Sequence, residues 1–399
     1  MTVLVHAMGG ARMATAETRG GLRAEVWTEL GAVEALWRSI EAGPACLGTP
    51  YQRFDWVASY RVAEVDPGAL RVIVLREADG RPRLLLPLTV TRERGVRVAR
   101  VVGGYHANYH LPLFASREAA AIPGDDLRAL LAEVGREAGI DVYVLAHQPR
   151  TWEGAANPLS LGGMASPSDA YGMRLGLDPE ETVRRAFSAD ARKKLRQKEK
   201  RLVETVGPVA YRCAATQEES ATFLAAFYLQ KSARFASLGI RNPYAEAPIR
   251  RFLARAAGPG DGSGRPAMEL HALVARDSGR VLATFGAAVS EDRFSGMMTA
   301  FEADPEIARC SPGDLLLHHL VREQAARGRR GFDLGVGEAR YKASICDETI
   351  ELVTVTIPVT LRGRLQGLAL EGLGRLKARI KRSPRLWALA QKARRLRAG

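Results

Sequence analysis

The stretch Ser311-Pro-Gly-Asp-Leu-Leu-Leu-His-His-Leu-Val-Arg-Glu-Gln-Ala-Ala-Arg-Gly328, followed by Gly331-Phe-Asp-Leu-Gly-Val-Gly-Glu-Ala-Arg-Tyr-Lys342, carries the most structural information in this chain. Pro312 and Gly313 break whatever precedes them. Leu315, Leu316, His319, Leu320 and Glu323 then recur at helical spacing, which predicts a helix opening near Asp314. Gly328 ends it, with Arg327 in the last turn. Phe332 to Val336 reads as a short buried strand bounded by glycines. The outcome is an exposed helix N-terminus after a Pro-Gly elbow, packed beside a strand. There the unpaired backbone N–H groups and the helix dipole suit an anion such as a pyrophosphate. The stretch is neither a G-x-x-x-x-G-K-[ST] loop nor a G-x-G-x-x-G turn.

Outward from this stretch, the chain shows one plan twice. Leu70–Arg76 and Leu84–Val90, joined through Asp79-Gly80, read as a hairpin. Glu269–Arg276 and Val281–Val289, joined through Asp277-Ser-Gly279, repeat it. Each hairpin is followed by a strand (Arg97–Val102; Phe294–Phe301), a helix (Gly124–Ala138; Asp314–Arg327) and a strand (Asp141–Ala146; Phe332–Val336). Two helices precede each hairpin: Val33–Ile40 and Phe54–Tyr60 in the first half, Glu218–Ala236 and Ala247–Ala256 in the second. Repetition of helix, helix, three strands, helix, strand argues for duplication within an α/β (α+β) chain. The stretch Thr151–Met173 is rich in Gly, Ala, Ser and Pro and reads as a linker. Asp178-Pro-Glu-Glu181 is a strong helix start, and Ser188 caps a second helix ending before Gly207-Pro208. The expected organisation is a disordered segment over 1–22, a first half over 23–150, a linker over 151–177, a second half over 178–360 and a basic tail over 361–399.

The bulk numbers are those of a globular protein, with 46% hydrophobic and 26% charged residues in 399. No signal peptide and no membrane-length apolar run is evident. Cys46, Cys213, Cys310 and Cys346 lie far apart with no C-x-x-C, which fits a reducing cytoplasm. The net charge of +14 is concentrated: from Arg362 on, twelve basic residues oppose one acid, leaving only +3 for the rest. A second cluster, Arg184–Arg201, carries nine basic residues against two acids.

The order Arg192-Lys193-Lys194-Leu195-Arg196, then Ser311 to Leu316, then Phe332 to Lys342 resembles the CelD-type acetyltransferases of the GNAT superfamily. That group is associated with exopolysaccharide and cellulose synthesis, and the resemblance runs from about Trp27 to Pro358. It implies tandem GNAT-like domains with mixed central sheets flanked by helices, as in the related Fem-type transferases. It also implies acyl-CoA, acetyl-CoA first, as donor, bound by the second half. Ser311, Pro312, Gly313, Asp314 and Leu315 then become the pyrophosphate-facing turn, although Asp314 places a carboxylate close to the phosphates or simply caps the helix.

A GNAT-type transfer polarises a thioester carbonyl, deprotonates an amine or hydroxyl and protonates the leaving thiolate. Tyr341 is an acid candidate and Glu302 a base candidate; Asp333 and Lys342 complete the expected catalytic set, against a structural Asp–Lys contact. Arg192, Arg196 and Lys200 recur every four residues as one basic stripe for an anionic acceptor or the CoA phosphates. The loop Gly103-Gly-Tyr-His-Ala-Asn-Tyr-His110 brings Tyr105, His106, Asn108 and Tyr109 together as an acceptor-binding set. His106 and His110 have no carboxylate or cysteine at ligand spacing, so no metal is expected there. No G-x-S-x-G and no H-E-x-x-H occurs.

Leucines and arginines interleave from Leu361 on, as an amphipathic helix pair broken at Ser383-Pro384, suited to an anionic lipid surface or a biosynthetic complex. The expectation is a cytoplasmic acyltransferase, peripheral at the inner membrane, acting on a polysaccharide or cell-envelope precursor without nucleic acid. Two rivals stand beside it: a Fem-like aminoacyl-tRNA-dependent transferase, and a non-catalytic GNAT scaffold of an exopolysaccharide complex.

Overall fold

A computed structural model describes residues 12–17, 21–64, 66–258 and 265–383. Strands β1 (Arg12–Glu17) and β2 (Arg23–Trp27) lead into helices α1 (Leu30–Glu41) and α2 (Phe54–Arg61). The meander β3 (Leu70–Arg76), β4 (Pro82–Glu93) and β5 (Val96–Val101) follows, then β6 (Leu113–Phe114), α3 (Gly124–Glu137) and β7 (Val142–Pro149). Four short strands come next: β8 (Thr151–Trp152), β9 (Ala155–Ala156), β10 (Met164–Ala165) and β11 (Ala170–Arg174). Helices α4 (Pro179–Ala186) and α5 (Ala189–Val206) precede β12 (Val209–Cys213), α6 (Gln217–Leu238) and α7 (Ala247–Ala256). A second meander, β13 (Met268–Ala275), β14 (Val281–Val289) and β15 (Arg293–Phe301), runs into α8 (Pro305–Ala308) and α9 (Pro312–Ala326). The last described elements are β16 (Gly331–Val336), α10 (Arg340–Ile345), β17 (Glu348–Ile350), β18 (Leu352–Pro358) and α11 (Leu361–Arg382).

These elements form two units with the same strand plan. In the first the sheet order is β1-β2-β3-β4-β5-β7-β18-β10, and in the second β12-β13-β14-β15-β16-β11-β17. Each has an antiparallel meander, then one parallel pair (β5 with β7; β15 with β16), then an antiparallel closing strand. The parallel pair follows a crossover helix, α3 or α9, as a return in the same direction requires. This is the duplication that the repeat predicts, in the tandem GNAT-like form that the family resemblance implies.

The closing strands come from unexpected places. β11, within the stretch read as a linker, pairs with β16 of the second unit. β18, after the second repeat, pairs with β7 of the first. Among the described residues the first unit therefore takes those up to Ala58, Glu64–Asp169 and those from Ile350, while the second takes Ser59–Ala63 and Ala170–Thr349. The 151–177 linker and the 178–360 boundary are corrected accordingly: the Gly- and Ala-rich composition reflects tight turns between very short strands. Residues 12–17, placed in the disordered segment, form β1 against β2.

In the second unit, α9 lies on β14, every residue of which is buried. Leu315, Leu316, Leu317, Leu320 and Val321 enter one core with Phe285, Phe294 and Phe332. Burying such side chains contributes about 1.5–3 kcal/mol each, which fixes the helix and hence its N-terminus.

Candidate active site

β15 and β16 run parallel but pair only briefly. Arg293, Phe294 and Ser295 face Gly331, Phe332 and Asp333, and the register goes no further. Beyond that point β15 continues to Phe301 and β16 to Val336, so their C-terminal halves part. Two features mark the point where the strands part. A bulge leaves Met297 without an opposite residue, because Gly286 pairs with Met298 and Ala287 with Gly296. At Gly296 a Cβ would lie 2.7 Å from the Phe285 ring and 2.9 Å from the Asp333 carbonyl, so only glycine fits.

The elbow closes one side of this opening. Ser311, not Asp314, is the N-cap of α9, with left-handed φ and ψ of 50° and 58°. Its carbonyl accepts from both Asp314 N–H (3.0 Å) and Leu315 N–H (3.2 Å). Pro312 brings no N–H, and Gly313 N–H, at the second helical position, has no intrahelical acceptor. Asp314 is thus a first-turn acid, where it suits the helix dipole.

Lys198 is the residue the sequence reading missed. Its Nζ donates to Ser311 Oγ at 2.7 Å and lies 3.6 Å from Asp314. In α5 the inward row is Ala191, Leu195, Lys198 and Leu202, with Leu195 and Leu202 in the core. A lysine in an apolar helical row was the available signal. Of the stripe chosen instead, Arg196 and Lys200 are exposed, while Arg192 lies near enough to His318 to disfavour its protonation.

The expected catalytic set is only partly brought together. Tyr341, on α10, is half exposed; burial, with Cys346 and Asp314 nearby, pushes its phenol up from the usual range. It therefore stays protonated near neutral pH and shares the field of the elbow. Phe301, at the tip of β15, adds an exposed ring beside Gly313. Asp333 does not face an opening. It is fully buried, accepting from Arg293 Nε (2.8 Å), Arg293 Nη2 (2.6 Å) and the Ser295 hydroxyl. Lys342 is likewise inward: its Nζ donates to the carbonyls of Gly335 and Val336, each at 3.1 Å, closing the turn after β16. Both residues serve strand and turn geometry. Glu302 is held by Arg280 at 3.2 Å and bonds the Ala303 N–H, at the mouth of the β13–β14 hairpin.

The acceptor loop, in the first unit, is also mostly core. Tyr109 is fully buried against Tyr51 and Trp152, and Asn108 donates to the Tyr51 hydroxyl at 2.7 Å. His106 is buried, and loss of solvent pulls it down to about 4. Only Tyr105, 67% exposed, has the surface position expected of it.

One group of metal-ligand types occurs among the described residues: Cys213, Glu269 and His271, within 4.8 Å of one another. Glu269 Oε2 already accepts from Arg327 (3.0 Å) and Arg329 (3.1 Å) and lies 3.1 Å from His271 Nε2. Two guanidinium groups on one oxygen make a poor cation ligand, so this is an ion-pair network tying β13 to the end of α9.

Comparison with known proteins agrees with this geometry. Residues 189–343 match the family model of the acetyltransferase (GNAT) domain, a span holding α5, the parted strands, the elbow and Tyr341. No curated protein sequence matches the chain. Among solved structures, FemX is similar at 11% identity and a TM-score of 0.56, over 85% of this chain and 98% of that one. The C-terminal domain (DUF2156) of a candidate lysylphosphatidylglycerol synthetase from Agrobacterium fabrum is similar at 12% identity and a TM-score of 0.51, over 86% and 96%. A conserved protein of unknown function from Bacteroides thetaiotaomicron gives 11% and 0.52, over 82% and 97%. At such identities the likeness is one of fold. With the parted strands and the elbow inside the matched span, residues 189–343 form a GNAT-type acetyltransferase domain, which makes the protein an acyltransferase.

Proposed function

We propose that the protein transfers an acetyl group from acetyl-CoA directly to an amine or hydroxyl of a polysaccharide or cell-envelope precursor. The observation that carries this reading is the elbow beside the parted strands, with Lys198 held at Ser311 and Asp314. The donor's diphosphate lies at the start of α9, meeting the Gly313 N–H and the Lys198 ammonium. Its thioester lies between the parted ends of β15 and β16, where backbone N–H groups polarise the carbonyl. Tyr341 returns a proton to the thiolate. Asp333 and Lys342 have no part in the chemistry on this reading, since their polar atoms are engaged elsewhere. Likeness in fold to FemX and to the synthetase domain makes envelope components the first acceptors to try.

The test is thiol release from acetyl-CoA by the purified chain with a panel of amino sugars, polysaccharide fragments and envelope precursors. Release that depends on one acceptor class, and is lost in Tyr341→Phe with acetyl-CoA binding intact, supports the reading. Failure of acetyl-CoA to bind or to raise the melting temperature at millimolar concentration defeats it. Copurification of aminoacyl-tRNA in its place supports the Fem-like alternative.

A further inference from the structure

Helix α11 is mounted inside out. The face against the first unit's sheet is made of glycines with a single leucine. A Cβ on Gly363 would lie 1.7 Å from the Asp141 carbonyl oxygen, on Gly367 2.7 Å from Thr356, and on Gly374 2.5 Å from Met164. Leu370 joins them by packing on Val98, Val142 and Val144. These small residues let the helix backbone approach β5, β7 and β18 closely.

The leucines point the other way. Leu361, Leu365, Leu368, Leu373 and Leu376 are all exposed, from 52% at Leu373 to 81% at Leu361. At about 100° per residue, Leu361, Leu365, Leu368 and Leu376 share an arc of roughly 80°, and the glycine row lies nearly opposite. A helix whose only task was to cover the sheet would show the reverse. The ridge is about 22 Å long from Leu361 to Leu376 at 1.5 Å per residue. Exposed Arg362 stands on one side of it, Arg364 and Arg375 on the other. Glu371 is the sole acid from Arg362 to the end, against twelve basic residues, and it pairs with Arg375. No described helix is long and apolar enough to cross a membrane.

From this we infer that α11 seats the protein on an anionic lipid surface, its leucine ridge lying among the acyl chains' upper segments and its flanking arginines on lipid phosphates. An apolar ridge with basic borders matches such an interface in both layers at once. The positive charge left unanswered on this segment is complemented by a negative surface and not by a neutral one. The inference is independent of the acyltransferase reading.

The test is flotation of the full chain with vesicles of phosphatidylcholine alone and with phosphatidylglycerol included, at low and high salt, beside light scattering. Binding is expected only to the anionic vesicles and to weaken with salt. Leu365→Gln with Leu368→Gln is expected to lower partitioning about tenfold or more, with an unchanged melting temperature because both side chains are exposed. Replacing Arg362, Arg364 and Arg375 by Gln is expected to remove the preference for anionic lipid. Absence of binding at low salt overturns the inference. So does binding unaffected by the leucine changes, which assigns it to charge alone. A dimer in solution that the leucine changes dissociate also overturns it, because a second copy then covers the ridge.

Discussion

Lys198 donates from Nζ to Ser311 Oγ at 2.7 Å, which ties the inner row of α5 to the residue that caps α9. This is the one cation the described elbow residues hold directly against the start of that helix. Removing it as Lys198→Ala is expected to weaken acetyl-CoA binding about tenfold, the effect of one lost charge-assisted contact. Thermal stability is expected to move by less than about 1 kcal/mol, since the pair with Asp314 is well exposed. Calorimetric titration of acetyl-CoA into both proteins checks this, and equal affinities would remove Lys198 from the donor site.

Asp314 presents the opposite case. Its carboxylate pairs with Lys198 at 3.6 Å, and so competes with any anion at the elbow. Asp314→Asn is expected to tighten acetyl-CoA binding about two- to fivefold at low ionic strength, by removing a like charge. The gain is expected to shrink as salt rises. A loss of affinity would mean that Asp314 orders the elbow more than it repels the donor.

The duplicated plan was legible because each half buries a sheet on helices, so its period-two and period-3.6 patterns survive in the sequence. The elbow helix was placed within two residues for the same reason: Leu315, Leu316 and Leu320 must face β14. The crossed closing strands were not legible. β11 and β18 are short, and which neighbour they pair with depends on edges that only the folded sheets create. The site fared unevenly for a related reason. Asp333 looks catalytic beside glycines, yet its partner Arg293 stands forty residues away. Tyr109 and His106 looked like a binding loop because polar aromatics are ambiguous between surface and core. In α11 the glycines that define the packed face carry no side-chain signal, so that face was not legible beside the leucines.

Arg293 and Asp333 form a buried pair across the parallel strands, with Glu348 3.1 Å from the same guanidinium. Asp333→Asn leaves the Arg293 guanidinium to Glu348 with one carboxylate fewer, and is expected to destabilise the second unit by about 3 kcal/mol, the low end for a broken buried pair. Replacing both residues by apolar ones of similar volume is expected to cost less. Denaturant unfolding measures this. If Asp333→Asn were instead fully stable and without acetyl transfer, the residue would return to the chemistry.

His271 gives the fold a pH dependence of definite sign. Burial opposes its protonation, but hydrogen bonds with Cys213 and Glu269 outweigh that and push it up to about 9. Glu323, 3.6 Å from Nδ1, adds negative charge on the α9 side, while His319 and Arg327 add positive charge. The folded value lies above the unfolded value of about 6.5, so folding binds a proton in this window. The imidazolium's contribution is fully present below about pH 6.5 and is lost as pH rises through about 9. Melting temperature is therefore expected to fall between those values, and to fall less in His271→Gln, which keeps a hydrogen-bond donor without the titration. A wild-type melting curve that is flat over this range would show that the ring stays neutral in the folded protein, with Glu269 satisfied by Arg327 and Arg329 alone.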